Sequence, residues 1–236
     1  MTDLHTHILP GMDDGAGTAD DSIEMLLYEY EQGIDTVVLT PHFYPEQESI
    51  GEFLSRRQNS WEQLEQAVNS LAEDVRSRIP NMVLGAEVAY LPNLEEYGDL
   101  RPLCIGNTSN MLLELPFYPW DKMFVRQFYV FLERVGVTPI LAHIERYFPC
   151  QNKRYLNEIL ELGLPVQVGI DMLAGRLSLP MKLLKQGKVH VVASDCHDIH
   201  HRRPDLGVAM ETIKRKLGFE WAEELEELAD QLAVGQ

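Results

Sequence analysis

Two histidines one residue apart close the first apolar stretch of the chain, Asp3-Leu4-His5-Thr6-His7. On a strand, side chains two apart share a face, so both imidazoles can reach one metal ion. Neutral imidazole suits zinc, manganese or iron. Such a pair alone does nothing on most surface strands, so other ligands must come from elsewhere. His42 follows Thr40-Pro41, Glu87 follows Gly85-Ala86, Glu114 follows Met111-Leu112-Leu113, and His143 follows Leu141-Ala142. Asp195 and His197 follow Val191-Val192-Ala193-Ser194, and Asp13 or Asp14 in the turn before Gly15 offers one more carboxylate. Glu87 and Glu114 each end an apolar run, where a charge needs a partner. These nine ligands exceed one or two mononuclear sites, and three ions sharing bridging carboxylates would use them. Imidazole and carboxylate donors without cysteine suit Mn, Fe or Zn rather than Cu(I) or Ca. Cys196, between Asp195 and His197, points the other way on an extended backbone and reads as packing.

The elements that must position these residues alternate. A strand starts almost at Met1. Residues 18–32 read as a helix, with Thr18 as N-cap, Asp21 three residues on, and Ile23, Leu26, Leu27 and Tyr30 on one face. Thr36–Thr40 is a β-branched run stopped by Pro41. A long helix is expected over about 49–78, then a strand at 82–86 that Glu87 ends. Further strands are expected at 111–113, 137–142, 165–168 and 189–194. Helices are expected near 122–135, 152–162, 173–186, 205–217 and 220–233. Strand–helix units repeated about seven times mean a parallel sheet covered by helices, either open and doubly wound or closed. All the candidate ligands fall where a strand ends and a loop begins. Six strand ends converge on one site only if the sheet closes. The expectation is therefore a distorted TIM-like (β/α)7 barrel with the metal site at the C-terminal face of its strands, in a single domain over residues 1–236.

Composition narrows the function. The 236 residues suit one α/β barrel and bury a sizeable core. Hydrophobic residues are 45% and charged residues 24%, an ordinary globular balance. The formal charge of −17 argues against gripping a nucleic-acid backbone, and a carboxylate cluster holding divalent cations would mask part of it. No apolar run reaches membrane length, and no secretory signal is expected at the N-terminus. Cys104, Cys150 and Cys196 are scattered and odd in number, as in a cytoplasmic protein with reduced thiols.

Taken in order, the HTHILPGMDDG opening, Thr40-Pro41-His42, Gly85-Ala86-Glu87, Leu113-Glu114, Ala142-His143-Ile144-Glu145-Arg146 and Ser194-Asp195-Cys196-His197 resemble the polymerase and histidinol phosphatase (PHP) superfamily. Within it, the chain resembles the CpsB/CapC-type bacterial protein-tyrosine phosphatases of capsule and exopolysaccharide systems, from residue 1 to about 217. The resemblance implies that His5, His7, Glu87 and Asp195 hold one metal. It implies that Glu87 bridges to a second, completed by Glu114 and His143, and that Asp14, His42 and His197 hold a third. Asp14, next to Gly15, fits the family turn better than Asp13. Arg146 and Arg202 match arginines that bind substrate phosphate. The cofactor would be three divalent ions, manganese first with iron or zinc possible. The partner would be the tyrosine-rich tail of a bacterial tyrosine autokinase.

The mechanism would follow from the metals: bridging water becomes hydroxide at neutral pH and attacks phosphorus in line, while metals and arginines neutralise the equatorial oxygens. A metal water or His42 would protonate the leaving group. Asp195-x-His197 repeats the spacing of His5-x-His7, so closing a barrel would set the two claws side by side. Rival readings are a histidinol-phosphate phosphatase on the same scaffold, a nuclease, and a metal-stabilised scaffold without activity. Phe117, Tyr118 and Trp120, and likewise Phe43 and Tyr44, either line an aryl groove or pack the barrel. His190 reads as structural, and His200 and His201 as loop histidines.

Overall fold

The computed structural model describes residues 1–170 and 179–234. Among these residues the strands are all parallel and fall into three sheets. The first holds β1 (Thr2–Thr6), β2 (Thr36–Leu39) and β4 (Asn81–Leu84) in the order β1-β2-β4. The second holds β3 (His42–Phe43), β5 (Glu87–Ala89), β6 (Asn110–Glu114) and β7 (Thr138–Leu141) in the order β3-β5-β6-β7. The third pairs β8 (Gln167–Gly169) with β9 (Val191–Ala193). The result is a mixed α/β fold built on parallel sheets.

Two expected strands are broken where they approach the ligands. Thr40-Pro41 separates β2 from β3, since proline has no N–H for the ladder. Gly85-Ala86 separates β4 from β5, so Glu87 begins a strand instead of ending one. A Cβ at Gly85 would meet Thr40 and Val38 side chains at 3.2 and 3.3 Å. Backbone bonds cross these breaks: Thr40 N–H to Thr6 O, Gly85 N–H to Leu39 O, and Glu87 N–H to Pro41 O. Between sheets, single bridges join Leu141 to Val166 and Thr6 to Cys196. Asp195 N–H donates to His5 O and His7 N–H to Cys196 O, both at 2.9 Å. The first and last strand regions are therefore neighbours, as the repeated claw spacing requires.

Helix α1 (Ala19–Glu31) carries the expected reciprocal cap between Thr18 and Asp21. The long helix expected over 49–78 is two helices, α2 (Ile50–Asn69) and α3 (Glu73–Arg76). The Ser70 hydroxyl donates to Ala67 O at 2.7 Å; a serine bonded back to the preceding turn competes with helix propagation. Helices α4 (Lys122–Arg134) and α6 (Lys153–Leu160) lie close to expectation. Between them, α5 (Ile144–Tyr147) is a short helix that periodicity missed, four residues being too few to register. Of the helix expected at 173–186, α7 (Leu179–Lys185) is observed, and residues 173–178 lie outside the described residues. Helices α8 (Leu206–Leu217) and α9 (Phe219–Val234) complete the chain, with α9 packed on β1 and β9. No helix among the described residues is long and apolar enough to cross a membrane.

The main apolar core runs from Ile8 to Leu225 and takes in Phe43, Tyr90, Phe128, Phe131 and Tyr147, all essentially inaccessible. A second cluster around Leu4, Val38, Leu112, Ile140 and Val191 is closed at one end by Ala229, Leu232 and Ala233 of α9. Trp120 stacks on Phe124 at 5.0 Å and is buried, and Phe43 packs on Phe53, so these two aromatics belong to the core.

Candidate metal centre

The residues singled out in the sequence meet at one end of these strands. His5 lies in β1, and His7 follows it, both fully buried. The turn after His7 is held tightly: Ala16 N–H donates to His7 O, and a Cβ on Gly15 would fall 2.0 Å from that oxygen. Gly15→Ala is expected to lower stability by about 3 kcal/mol or more, because the clash is with backbone and cannot relax by a rotamer change. Thermal melts of the metal-free variant and wild type test this.

The turn also resolves the two aspartates. Asp13 accepts from His7 Nδ1 at 2.8 Å, from His42 N–H at 3.0 Å and from Gly15 N–H at 3.0 Å. Burial would raise its carboxyl, but His7 and these donors outweigh burial and hold it well below the usual range. Asp13 thereby fixes the His7 tautomer with Nε2 turned to the cluster, the arrangement by which an outer carboxylate orients a ligating imidazole. Asp14 is more exposed, and its Oδ1 lies 3.6 Å from His42 Nε2 and 3.3 Å from His197 Nε2.

Glu87 sits at the centre. Its Oε1 is 2.9 Å from His143 Nε2. Its Oε2 is 2.9 Å from His42 Nδ1, 3.2 Å from His5 Nε2 and 3.4 Å from His7 Nε2. Burial acts to raise this carboxyl, but the charges of His5 and His143 prevail and hold it well below the usual range. Asp195 Oδ1 faces His5 and His7 at 3.5 and 3.4 Å. Burial opposes its ionisation too, and His5, His7 and His143 overcome it. Glu114, with no imidazole so close, is pushed up to about 7 by burial and then by the Glu87 charge. Burial lowers His143 and His197 to about 4, which favours the neutral ring that a metal requires.

Two of these positions have left-handed backbone, His143 and Asp195, each with φ 53°. In a residue with a Cβ this conformation costs roughly 1–3 kcal/mol and persists only where surrounding contacts enforce it. For His143 the enforcement is Gln167, whose Oε1 accepts the His143 N–H at 2.9 Å; for Asp195 it is the bond to His5 O.

The fit to divalent metal is tested by the donor atoms themselves. Among the described residues, Glu87 Oε2, Asp195 Oδ1 and His197 Nε2 are buried yet make no aligned hydrogen bond. They lie close to several other donor atoms without pointing at any, as ligands aimed at shared points do. Unsatisfied buried polar atoms of this kind carry a cost and call for a missing partner. Four overlapping groups have ligand atoms within 4.8 Å of one another: His7, Asp14, His42, His197; His5, His7, Glu87; His5, His143, Asp195; and Glu87, Glu114, His143. Together they include all nine expected ligands. The all-nitrogen-and-oxygen set fits borderline-hard divalent cations.

Both arginines reach the same place. Arg146 Nη2 and Arg202 Nη2 donate to Asp195 Oδ2 at 2.5 and 2.6 Å, and Arg202 Nη1 lies 3.7 Å from Asp14 Oδ2. Arg146 does not pair with its neighbour Glu145, which is buried and accepts from Gly169 N–H instead.

The family model for capsular polysaccharide synthesis, CpsB/CapC, matches residues 1–229. The chain belongs to the CpsB/CapC family. It is 31% identical to the tyrosine-protein phosphatase YwqE of Bacillus subtilis over 249 aligned residues, covering 100% of this chain and 92% of that protein. It is 29% identical to the tyrosine-protein phosphatase CpsB of Streptococcus pneumoniae, covering 95% of this chain and 94% of that one. A solved chain from the crystal structures of YwqE and CpsB, unique metal-dependent tyrosine phosphatases, superposes with a TM-score of 0.80 at 28% identity, covering 100% of this chain and 95% of that one. Relative to the ligands of this CpsB/CapC chain, the contacts that hold them were harder to foresee. Asp13 as the orienting partner of His7 was open to a plain turn reading. Gln167 carried no signal, because glutamine in a short strand is unremarkable until the fold places it against His143. Tyr147, whose hydroxyl bonds both Leu115 N–H and O, was hidden in the unpredicted helix α5.

Proposed function

We propose that this chain is a metal-dependent protein-tyrosine phosphatase that hydrolyses phosphotyrosine on the tail of a bacterial tyrosine kinase in capsule or exopolysaccharide synthesis. The observation that carries the reading is the nine-residue donor cluster with two guanidiniums converging on its edge. We assign His5, His7, Glu87 and Asp195 to one ion, Glu87, Glu114 and His143 to a second, and Asp14, His42 and His197 to a third, with manganese the first choice and iron or zinc next. The crossing bonds from Thr6 to Cys196 and from Leu141 to Val166 support a single domain folded as a closed, distorted (β/α)7 barrel. The three thiols, all free, support a cytoplasmic setting.

When bound, divalent cations at such a donor set acidify coordinated water toward neutral pH and offset phosphoryl charge. The chain's own residues do the rest. Arg146 and Arg202 bind the peripheral phosphate oxygens, exchanging Asp195 for substrate as their anionic partner. His143 and Asp195 are held in strained backbone by Gln167 and His5, so their side chains cost no reorganisation as substrate arrives. His42 is partly exposed at the mouth, where its ring borders the place of the leaving phenolate oxygen; as a ligand it stays neutral, and a coordinated water would protonate that oxygen. Cys196 takes no part: it is fully buried, with Sγ 3.7 Å from Glu29, and burial pushes its thiol well up.

Orthophosphate release from phosphotyrosine peptide, measured with the metal content of the same sample, tests the proposal. Turnover is expected to vanish with a chelator and return with added divalent metal. Full activity in metal-stripped protein would overturn it. Turnover of histidinol phosphate above that of phosphotyrosine would move the chain to the rival phosphatase reading.

A further inference from the structure

Outside the donor cluster, three large aromatic side chains stay exposed beside it. Tyr44, Phe117 and Tyr118 are 36, 47 and 51% accessible. Burying aromatic rings is strongly favourable, so rings kept exposed beside a polar cluster call for an explanation other than packing. Two of them, Tyr44 and Phe117, are held in place from beneath. The Tyr44 ring stacks on His42, centroids 5.2 Å apart and planes 28° from parallel. The Phe117 ring stacks on the buried Tyr147 ring at 5.4 Å and 26°. Tyr147 is in turn tied to Leu115 through its hydroxyl, so Phe117 rests on a rigid base one residue from Arg146.

Strands β3 and β6 both pair with β5, His42 lying opposite Glu87 and Glu114 opposite Ala89, so the loops that carry Tyr44 and Phe117 leave the same end of one sheet on either side of the Glu87 strand. The aromatic rim therefore lies on the His42 and Glu114 side. The two arginines meet on Asp195 Oδ2, and Arg146 adjoins Tyr147, the base of the Phe117 ring. An ester group leaving a phosphate held by these arginines would have exposed aromatic surface beside it.

We propose that Tyr44 and Phe117 form a subsite for the aryl ring of an aryl phosphate, so that the mouth selects aryl over alkyl esters. The inference rests on the phosphatase reading for its biological setting. Its physical content is narrower: two supported rings flank the ring of the ligand, while the phosphoryl group is held elsewhere. Offset or edge contacts of this kind discriminate without hydrogen bonds. Trp120 and Phe43 contribute nothing to it, being core.

The test uses binding, so it does not depend on turnover. Metal-loaded protein is titrated with phenylphosphonate and with methylphosphonate, which share the anionic head and differ in the ring. Wild type is expected to bind phenylphosphonate about tenfold or more tighter. Tyr44→Ala and Phe117→Ala are each expected to remove most of that ratio, and Tyr44→Phe to restore it. In phosphotyrosine turnover the alanine variants are expected to raise KM far more than they lower kcat. Should Tyr44→Ala fail to fold, Phe117→Ala decides, since its ring is half outside the protein. Equal affinity for the two phosphonates in wild type, or an unchanged ratio in both alanine variants, overturns the subsite. A wild type that prefers phenylphosphonate but hydrolyses no aryl phosphate keeps the subsite and overturns the phosphatase reading.

Discussion

Glu87→Gln is expected to remove at least about 10³-fold of aryl-phosphate turnover, more than the 10–100-fold typical of groups one step removed from a metal. It is also expected to leave fewer than the full complement of metal ions per chain. The reason is the position of one carboxylate among four imidazoles: His143 at 2.9 Å on one oxygen, and His42, His5 and His7 at 2.9, 3.2 and 3.4 Å on the other. Only a group with two acceptor oxygens can serve both sides, and an amide replaces one of them with a donor aimed at nitrogen ligands. The charge matters as well as the shape. Burial disfavours the Glu87 carboxylate, and the His5 ring, raised toward its protonated form against burial by Glu87 and Asp195, balances its charge when metal is absent. Glutamine is isosteric and removes that balance without opening a cavity. Metal analysis and phosphate release on one preparation, beside a melt of the metal-free protein, separate the roles. A variant with wild-type metal content and turnover would make Glu87 a packing carboxylate. Asp13→Asn, which leaves His7 in place but weakens its orientation, is expected to fall only in the 10–100-fold range.

The contrast between these two acids shows what could be read from the sequence. The ligands stood out because each closes an apolar run, and a polar side chain at the end of a buried strand has few innocent uses. The alternation of strands and helices stood out for the same reason: buried parallel strands read as continuous apolar runs. What periodicity could not show were the interruptions. Thr40-Pro41 and Gly85-Ala86 each read as the edge of a strand, whereas the chain steps across them into β3 and β5 and carries His42 and Glu87 a further stretch toward the centre. Nor could it show contacts made across long separations. Gln167 holds His143 from 24 residues away, and Tyr147 holds Leu115 from 32. The left-handed backbone at His143 and Asp195 has no local signature in residues that are not glycine; it exists because those distant partners enforce it.

Arg146→Ala and Arg202→Ala are each expected to lower kcat/KM on phosphotyrosine peptide by about 10²–10³-fold, the range for losing one preorganised donor to developing charge, while leaving metal content at the wild-type level. Both guanidiniums now share a single oxygen, Asp195 Oδ2, at 2.5 and 2.6 Å. Two cations on one acceptor repel each other, and a phosphoryl group with three peripheral oxygens lets them separate. The free energy recovered in that exchange is available to substrate and not to the resting protein. Because they meet on one acceptor, the arginines should couple. Removing one relieves the other of its competitor for Asp195, which draws the survivor back from substrate, so the double variant should differ from the product of the singles. Arg146→Lys is expected to recover only part of the loss, since an ammonium keeps the charge but not the planar fork. The inhibition constant of inorganic phosphate should rise alongside, because the product carries the same oxygens as the substrate. The opposite pattern, metal lost and turnover per bound metal unchanged, would mean that Arg146 and Arg202 serve only to hold Asp195 in its strained place.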